Sequence, residues 1–298
     1  MSEILLSSFH PLAEGAYLEG LAVDTARNLV WYSDVVSGGV YGVDSAGEVR
    51  HSLNRERKWV GGILLNADGA VLSSGPGGIV WNNPDSGQHG WLLSSIHGEA
   101  INGVNEMWSD GRGGIIFGTV DIESIARGGN TRPTSIYHLD QNRALTKLID
   151  DIHFSNGLVF DAGNKKLFVS DSFNVAWAFD VSGSMTLYNR RMLLDKSDCD
   201  GMVMDSAGNI WISGFDSPQV IARVTPDGER LSDISLPFGA VTQMRFGGDD
   251  LRDLYLTVVP ARSGDSLKKG EPVQRGSYLY RVRSSISGVA SPVADFSL

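Results

Sequence analysis

A single cysteine, Cys199, stands in this chain of 298 residues, so no internal disulfide can form and a reducing compartment suits it. No stretch is apolar for long enough to cross a bilayer. The first residues, MSEILLSSFHPLAEGAY, lack a basic segment ahead of a long apolar core, so neither a signal peptide nor a membrane span is expected and the protein is read as cytoplasmic. Basic residues are scarce. Lys plus Arg number 25 against 35 Asp plus Glu, a formal charge of −10, and no basic cluster offsets this. That balance excludes nucleic-acid phosphates and anionic membranes as expected partners. No GxSxG elbow occurs, which removes the serine-hydrolase route. The six histidines (His10, His51, His89, His97, His138 and His153) show neither HxxxH nor HxH spacing and do not read as zinc ligands. Cys199 has no local base partner and reads as a small buried residue. Extended 3.6-residue periodicity is missing as well, so few helices are expected.

What the chain does contain is a repeated sentence. Residues 155–174, SNGLVFDAGNKKLFVSDSFN, give two β-prone runs around a polar turn, an antiparallel hairpin. The second run recurs at Val30, Val71, Ile115, Leu167, Ile210 and Leu254, with spacings of 41, 44, 52, 43 and 44 residues. A period of roughly 40–50 residues with several short strands per unit marks a β-propeller. The reading is one all-β domain over residues 1–298, a six-bladed β-propeller with four-stranded antiparallel blades. Either the N-terminal segment with Ile4-Leu5-Leu6 or the C-terminal Tyr278–Val282 run would complete the last blade.

The phase of the polar residues carries the functional reading. Glu19 and Asn156 lie 11 positions before their strand starts, and Asn105 and Asp200 lie 10 before theirs. Equivalent positions ring the axis of a propeller, so two carboxylates and two carboxamides converge on a hard-oxygen site suited to Ca²⁺ or a similar divalent cation. Alone, Asn156-Gly157 or Asp200-Gly201 reads as a turn; Glu19-Gly20 and Asn105-Glu106 are poorer turn formers. Gly61 and Gln243 occupy the same phase in two other units, leaving a gap in the ring for water or substrate. The longest unit carries Asp121-Ile122-Glu123 and a polar stretch over 127–133. There Glu123 is either a site-facing acid or an exposed loop carboxylate. The charged run Arg55–Lys58 reads as a solvated loop. The tryptophans read as blade packing, with Trp108 a candidate to approach the site.

These residues resemble the senescence-marker-protein-30, gluconolactonase and luciferin-regenerating-enzyme family of six-bladed propellers. The resemblance runs over nearly the whole chain. It rests on Glu19-Gly20-Leu21-Ala22, Asn105 ahead of Phe117-Gly118-Thr119, Asn156-Gly157-Leu158, Asp200-Gly201-Met202 and the late 246–251 run before Leu254. It implies that Glu19, Asn156 and Asp200 hold one divalent cation on the axis, with Asn105 beside it contacting substrate or metal through water. Ca²⁺ is the first expectation and Zn²⁺, Mn²⁺, Mg²⁺ or Fe²⁺ the others. It implies lactone hydrolysis, with the metal polarising the carbonyl and Asp200 assisting the attacking water; whether Asp200 is the base or a metal-bound hydroxide attacks stays open. Sugar lactonases of the family show Arg-x-Asn-Asp-Gly where this chain has Gly103-Val104-Asn105-Glu106-Met107. Loss of that guanidinium points to a less hydroxylated or bulkier lactone, with Gly103, Asn105, Glu123 and Trp108 on the substrate side. Two alternatives stand beside this: a diisopropylfluorophosphatase-like phosphotriesterase, and a non-catalytic metal- or ligand-binding propeller. The chain is expected as a monomer or small homo-oligomer.

Overall fold

A computed structural model describes residues 6–126, 132–216, 219–268 and 275–298. The repeat found in the sequence is the organising unit. Its six copies are the strands Leu29–Asp34, Val71–Gly75, Ile115–Thr119, Lys166–Asp171, Ile210–Gly214 and Asp253–Val259. Each is the second strand of a four-strand antiparallel run, and nearly every residue in them is buried. That burial explains their composition. Both faces of an inner strand pack against neighbouring sheets, so the period-2 alternation of a half-exposed strand gives way to a continuous apolar run. One such inter-sheet layer joins Leu158, Phe168 and Phe179 to Met202 and Ile212.

The sheets form a ring. Among the described residues four are separate four-stranded sheets, the remaining two runs are joined in one eight-stranded sheet, and a two-stranded ribbon pairs Ser95–Ile96 with Glu99–Ala100. In that sheet the run from Cys199–Met204 to Ile234–Ser235 meets the run Ala240–Gly247, Asp253–Val259, Ser277–Ser284 and Leu6–Gly15 through the single pair Gly214–Val241. This departs from the expectation of six separate sheets, because the end of one second strand comes within ladder distance of the next first strand. Both chain ends take part in closure: Leu6–Gly15 pairs with Ser277–Ser284. The first strands, Leu18–Asp24, Ile63–Leu65, Val104–Ser109, Ser155–Asp161, Cys199–Met204 and Ala240–Gly247, touch one another in cyclic order around the axis. Among the described residues two short helices sit at one end, α1 (Ile122–Ala126) and α2 (Ser263–Lys268), and they contact each other. The polar stretch expected at 127–133 lies mostly outside the described residues. Among the described residues no helix is long and apolar enough to cross a membrane.

Crowding at the axis explains the glycines that follow the candidate ligands. Asn156-Gly157 and Asp200-Gly201 are not turns; both dipeptides lie inside first strands. A Cβ on Gly157 would land on the Asp200 carbonyl oxygen, and one on Gly201 would sit 2.7 Å from the Thr242 carbonyl oxygen. Glycine is there for close strand approach rather than for a turn. Gly157→Ala is therefore expected to cost at least the ~1–3 kcal/mol typical of overpacking, read as a lowered denaturation midpoint. An unchanged midpoint would contradict this packing.

Candidate functional site

Glu19, Asn105, Asn156 and Asp200 are each the second residue of a first strand. In all four the ladder slips at that place, between Leu18 and Leu21, Val104 and Met107, Ser155 and Leu158, and Cys199 and Met202. Such irregularities re-aim a side chain out of the pleat. Here they turn four oxygen-bearing groups into one cavity at the end of the ring. The repeat also supplies the anchors. The Asp34 carboxylate accepts the Ala16 and Tyr17 N–H groups, and Asp171 accepts those of His153 and Phe154. Each fixes the segment leading into a ligand strand.

Hydrogen bonds orient the carboxamides. Asn156 Nδ2 donates to Ser172 Oγ at 3.2 Å, which leaves Oδ1 facing Asn105, and Asn105 Nδ2 donates to that Oδ1 at 3.2 Å. The Asn105 oxygen leans into the space a side chain at residue 61 would need: a Cβ on Gly61 would collide with it. Gly61 lines the cavity, with Asn105 taking the room a side chain there would need. Gln243 does not face the cavity; its amide is turned into the core, where it donates to Glu106 Oε2.

Electrostatically the site is unbalanced. Glu19 and Asp200 share a hydrogen bond, and burial, with the nearby Glu106 charge, pushes the Glu19 carboxyl up to about 8. Burial and the charge of Glu19 hold Asp200 well above the usual carboxylate range. Asp200 Oδ1 is buried without a hydrogen-bond partner. Beneath them lies a pair that the repeat does not announce. Glu106 and Arg245, both buried, form an ion pair of 3.4 Å, and Arg245 Nη1 donates to Gln243 Oε1 at 2.7 Å. When ionised, three buried carboxylates face one buried guanidinium, an excess of two negative charges. The orphaned Asp200 oxygen, the oriented Asn156 oxygen and this excess fit one divalent cation held by Glu19, Asn156 and Asp200, with Asn105 adjacent. Among the described residues no three His, Cys, Asp or Glu side chains converge as ligands, so a cation here would rely on carboxamide oxygen as well.

The whole cavity measures about 80 Å³, and most of its remaining lining is apolar. Phe154, Phe173 and Phe215 form one wall, with ring centroids 5.9 and 5.5 Å apart. Trp59 and Val35 form another, and Ile122, Ile125 and Leu267 reach in from the two helices. Tyr17 lines it too, its hydroxyl kept protonated by burial and the two carboxylates. Among the described residues no Lys, Arg or His lines this space.

Three of the residues expected on the substrate side fall elsewhere. Trp108 is buried in the core, with the Arg245 guanidinium 5.0 Å from its ring centre, and is not part of the cavity wall. Glu123 is exposed on α1 and lines a neighbouring groove. Gly103 lies behind the wall, where a Cβ would come within 2.6 Å of Ile122 Cγ1. The run Arg55–Lys58 is not simply solvated: Arg57 donates to the carbonyls of Ser73, Pro76 and Gly78, and Trp59 follows it into the site. Cys199 is fully buried, as expected, and burial pushes its thiol up.

The sequence matches the family described as SMP-30/Gluconolactonase/LRE-like region over residues 18–259. The chain belongs to this family. Among curated members, regucalcin of Danio rerio is 29% identical over 184 residues, 56% of this chain and 60% of the relative's length. The 6-deoxy-6-sulfogluconolactonase of Pseudomonas putida is 27% identical over 215 residues, 69% of this chain and 71% of its own. A solved calcium-binding regucalcin from Agrobacterium tumefaciens superposes with a TM-score of 0.78 at 16% identity, over 97% of this chain and 98% of that one. A luciferin-regenerating enzyme superposes at 0.77 with 21% identity, over 97% and 99%. At such identities the structural likenesses carry the fold alone.

Two outcomes follow for this family member. Arg245→Ala strands Glu106 in the core and should cost ~3–5 kcal/mol, whereas Arg245→Met combined with Glu106→Gln should recover most of that; equal losses in urea denaturation would refute the pairing. Glu19 ionises near 4.5 when unfolded and about 8 when folded, so the folded state holds more protons between those values. Stability contributed by this group is present below pH 4.5 and lost as pH rises to about 8. In chelator, the melting temperature should fall from pH 5 to pH 8; a flat or rising profile would contradict the burial.

Proposed function

We propose that this chain is a divalent-metal-dependent lactonase on a six-bladed propeller, the eight-stranded sheet counting as two blades. The observation that carries the reading is the convergence of Glu19, Asn156 and Asp200 with Asn105, at the floor of an apolar cavity, around an uncompensated buried charge. Family membership and relatives named as lactonases support the reaction class. Glu19, Asn156 and Asp200 would hold the cation, Ca²⁺ first. When bound, it would supply Lewis acidity toward a carbonyl oxygen and the electrostatic stabilisation of a developing oxyanion.

The protein's own groups divide the remaining work. Asp200 would take the proton of the attacking water at a carboxylate oxygen. Asn105 would orient the lactone through its carboxamide. The apolar walls exclude bulk water and so strengthen each polar contact. The substrate is expected to be less hydroxylated or bulkier than gluconolactone. Ile122 packs against Gly103, where sugar lactonases carry arginine, and no cationic donor among the described residues lines the cavity to meet a polyol. Phosphotriester hydrolysis on the same residues is the second reading, since a cation among hard oxygens would serve a phosphoryl oxygen equally well.

Protein stripped with chelator and resupplied with Ca²⁺, Mg²⁺, Mn²⁺, Zn²⁺ or Fe²⁺ should regain hydrolysis of lactones, faster on non-sugar than on sugar lactones. Asp200→Ala should abolish turnover and weaken cation binding while keeping the β-sheet spectrum. Full activity in that variant would sink the assignment, and turnover confined to phosphotriesters would select the second reading.

A further inference from the structure

A second, larger space of about 640 Å³ lies beside the central cavity, and the two share Trp59 and Ile122 as a common wall. Its other boundaries are Pro76, Gly77, Ala100 and Ile101, with Asn102 and Glu123 as the polar members. The groove therefore begins where the site's apolar wall ends and continues in mostly apolar character.

The shared wall is held at a conformational cost. Trp59 has φ +59° and Phe173, in the opposite wall, has φ +72°. Bulky L-residues rarely enter this left-handed region, and doing so costs roughly 1–3 kcal/mol each. Both backbones are tied to neighbouring loops: the Trp59 N–H donates to the Val35 carbonyl at 2.9 Å and the Phe173 N–H to that of Ser197 at 2.6 Å. Glycine would hold either turn without strain. The chain instead keeps a large aromatic ring at both places, and both rings face the cavity. Gly103 fits the same design. Its missing side chain admits Ile122, which stands with Trp59 between the cavity and the groove.

We propose that the groove beyond Trp59 and Ile122 is a subsite for an extended apolar arm on the lactone, so that the substrate class is a lactone bearing an unbranched alkyl chain of several carbons. This rests on the lactonase reading and names the class that reading leaves open. The ring sits over Glu19, Asn105, Asn156 and Asp200, and the arm crosses the Trp59–Ile122 wall onto Ala100 and Ile101. Burial of each methylene is worth up to about fourfold in kcat/KM, the equivalent of ~0.8 kcal/mol.

The test uses the metal-reloaded protein and a series of γ-lactones with side chains from methyl to octyl. It is run alongside calorimetric binding of the matching lactams, which lack the ester bond. The wild type should show kcat/KM rising about two- to fourfold per carbon until the groove is filled, and lactam affinity should rise in step. Ala100→Trp, at an exposed position in the groove, should shorten the chain length at which both rises stop. Hydrolysis with no dependence on chain length, or a dependence that Ala100→Trp leaves untouched, overturns the subsite while the lactonase reading stands. Chain-dependent lactam binding curtailed by Ala100→Trp, with no lactone hydrolysed, supports the subsite and sinks the lactonase reading. Absence of both binding and turnover overturns the two together.

Discussion

Everything at this site depends on how closely the first strands approach one another at the axis. Gly157 and Gly201 permit that approach, and the ladder irregularities beside them turn Glu19, Asn105, Asn156 and Asp200 into one space. Bringing carboxylates together away from water is costly, because burial and mutual repulsion both disfavour the charged form. The chain places Arg245 against Glu106, and the Lys196 charge offsets a small part of the cost at Asp200. It leaves Glu19 and Asp200 joined only by a hydrogen bond. An arrangement that makes two adjacent carboxyls this hard to ionise needs a reason, and a resident divalent cation is the simplest chemical one.

Above that polar floor the design changes character. The aromatic and aliphatic walls contribute no charge, and two of their rings sit on backbone that glycine would occupy more comfortably. Strain of this kind persists only where the surroundings over-determine it. Here the inter-loop hydrogen bonds at Trp59 and Phe173 do so. The polar floor therefore suits a common chemistry, while the walls select what is presented to it.

The repeat is legible because second strands are buried on both faces and so read as apolar runs at a steady spacing. Counting back from them locates the four polar residues without any structure, since equivalent positions in a ring must converge. Carried two residues further back, the same count reaches Tyr17 and Phe154, which line the cavity ahead of Glu19 and Asn156. Other features leave no local trace. Arg245 reads as the one charged residue of the strand Ala240–Gly247, and its partner Glu106 is 139 positions away. Trp59 is obscured by the charged run before it, whose Arg57 is spent on backbone carbonyls rather than on water. Gly61 reads as a gap and does line the cavity, but the sequence does not show that the neighbouring Asn105 is what leaves no room for a side chain there.

The most direct test of a resident cation is calorimetric titration of Ca²⁺ into chelator-treated protein at about pH 7, repeated in two buffers of different ionisation heat. One ion per chain and a net release of protons are predicted, because the hydrogen-bonded Glu19–Asp200 pair must give up its proton to bind a cation. Absence of binding, or binding with no difference between the buffers, would contradict a cation held by this pair.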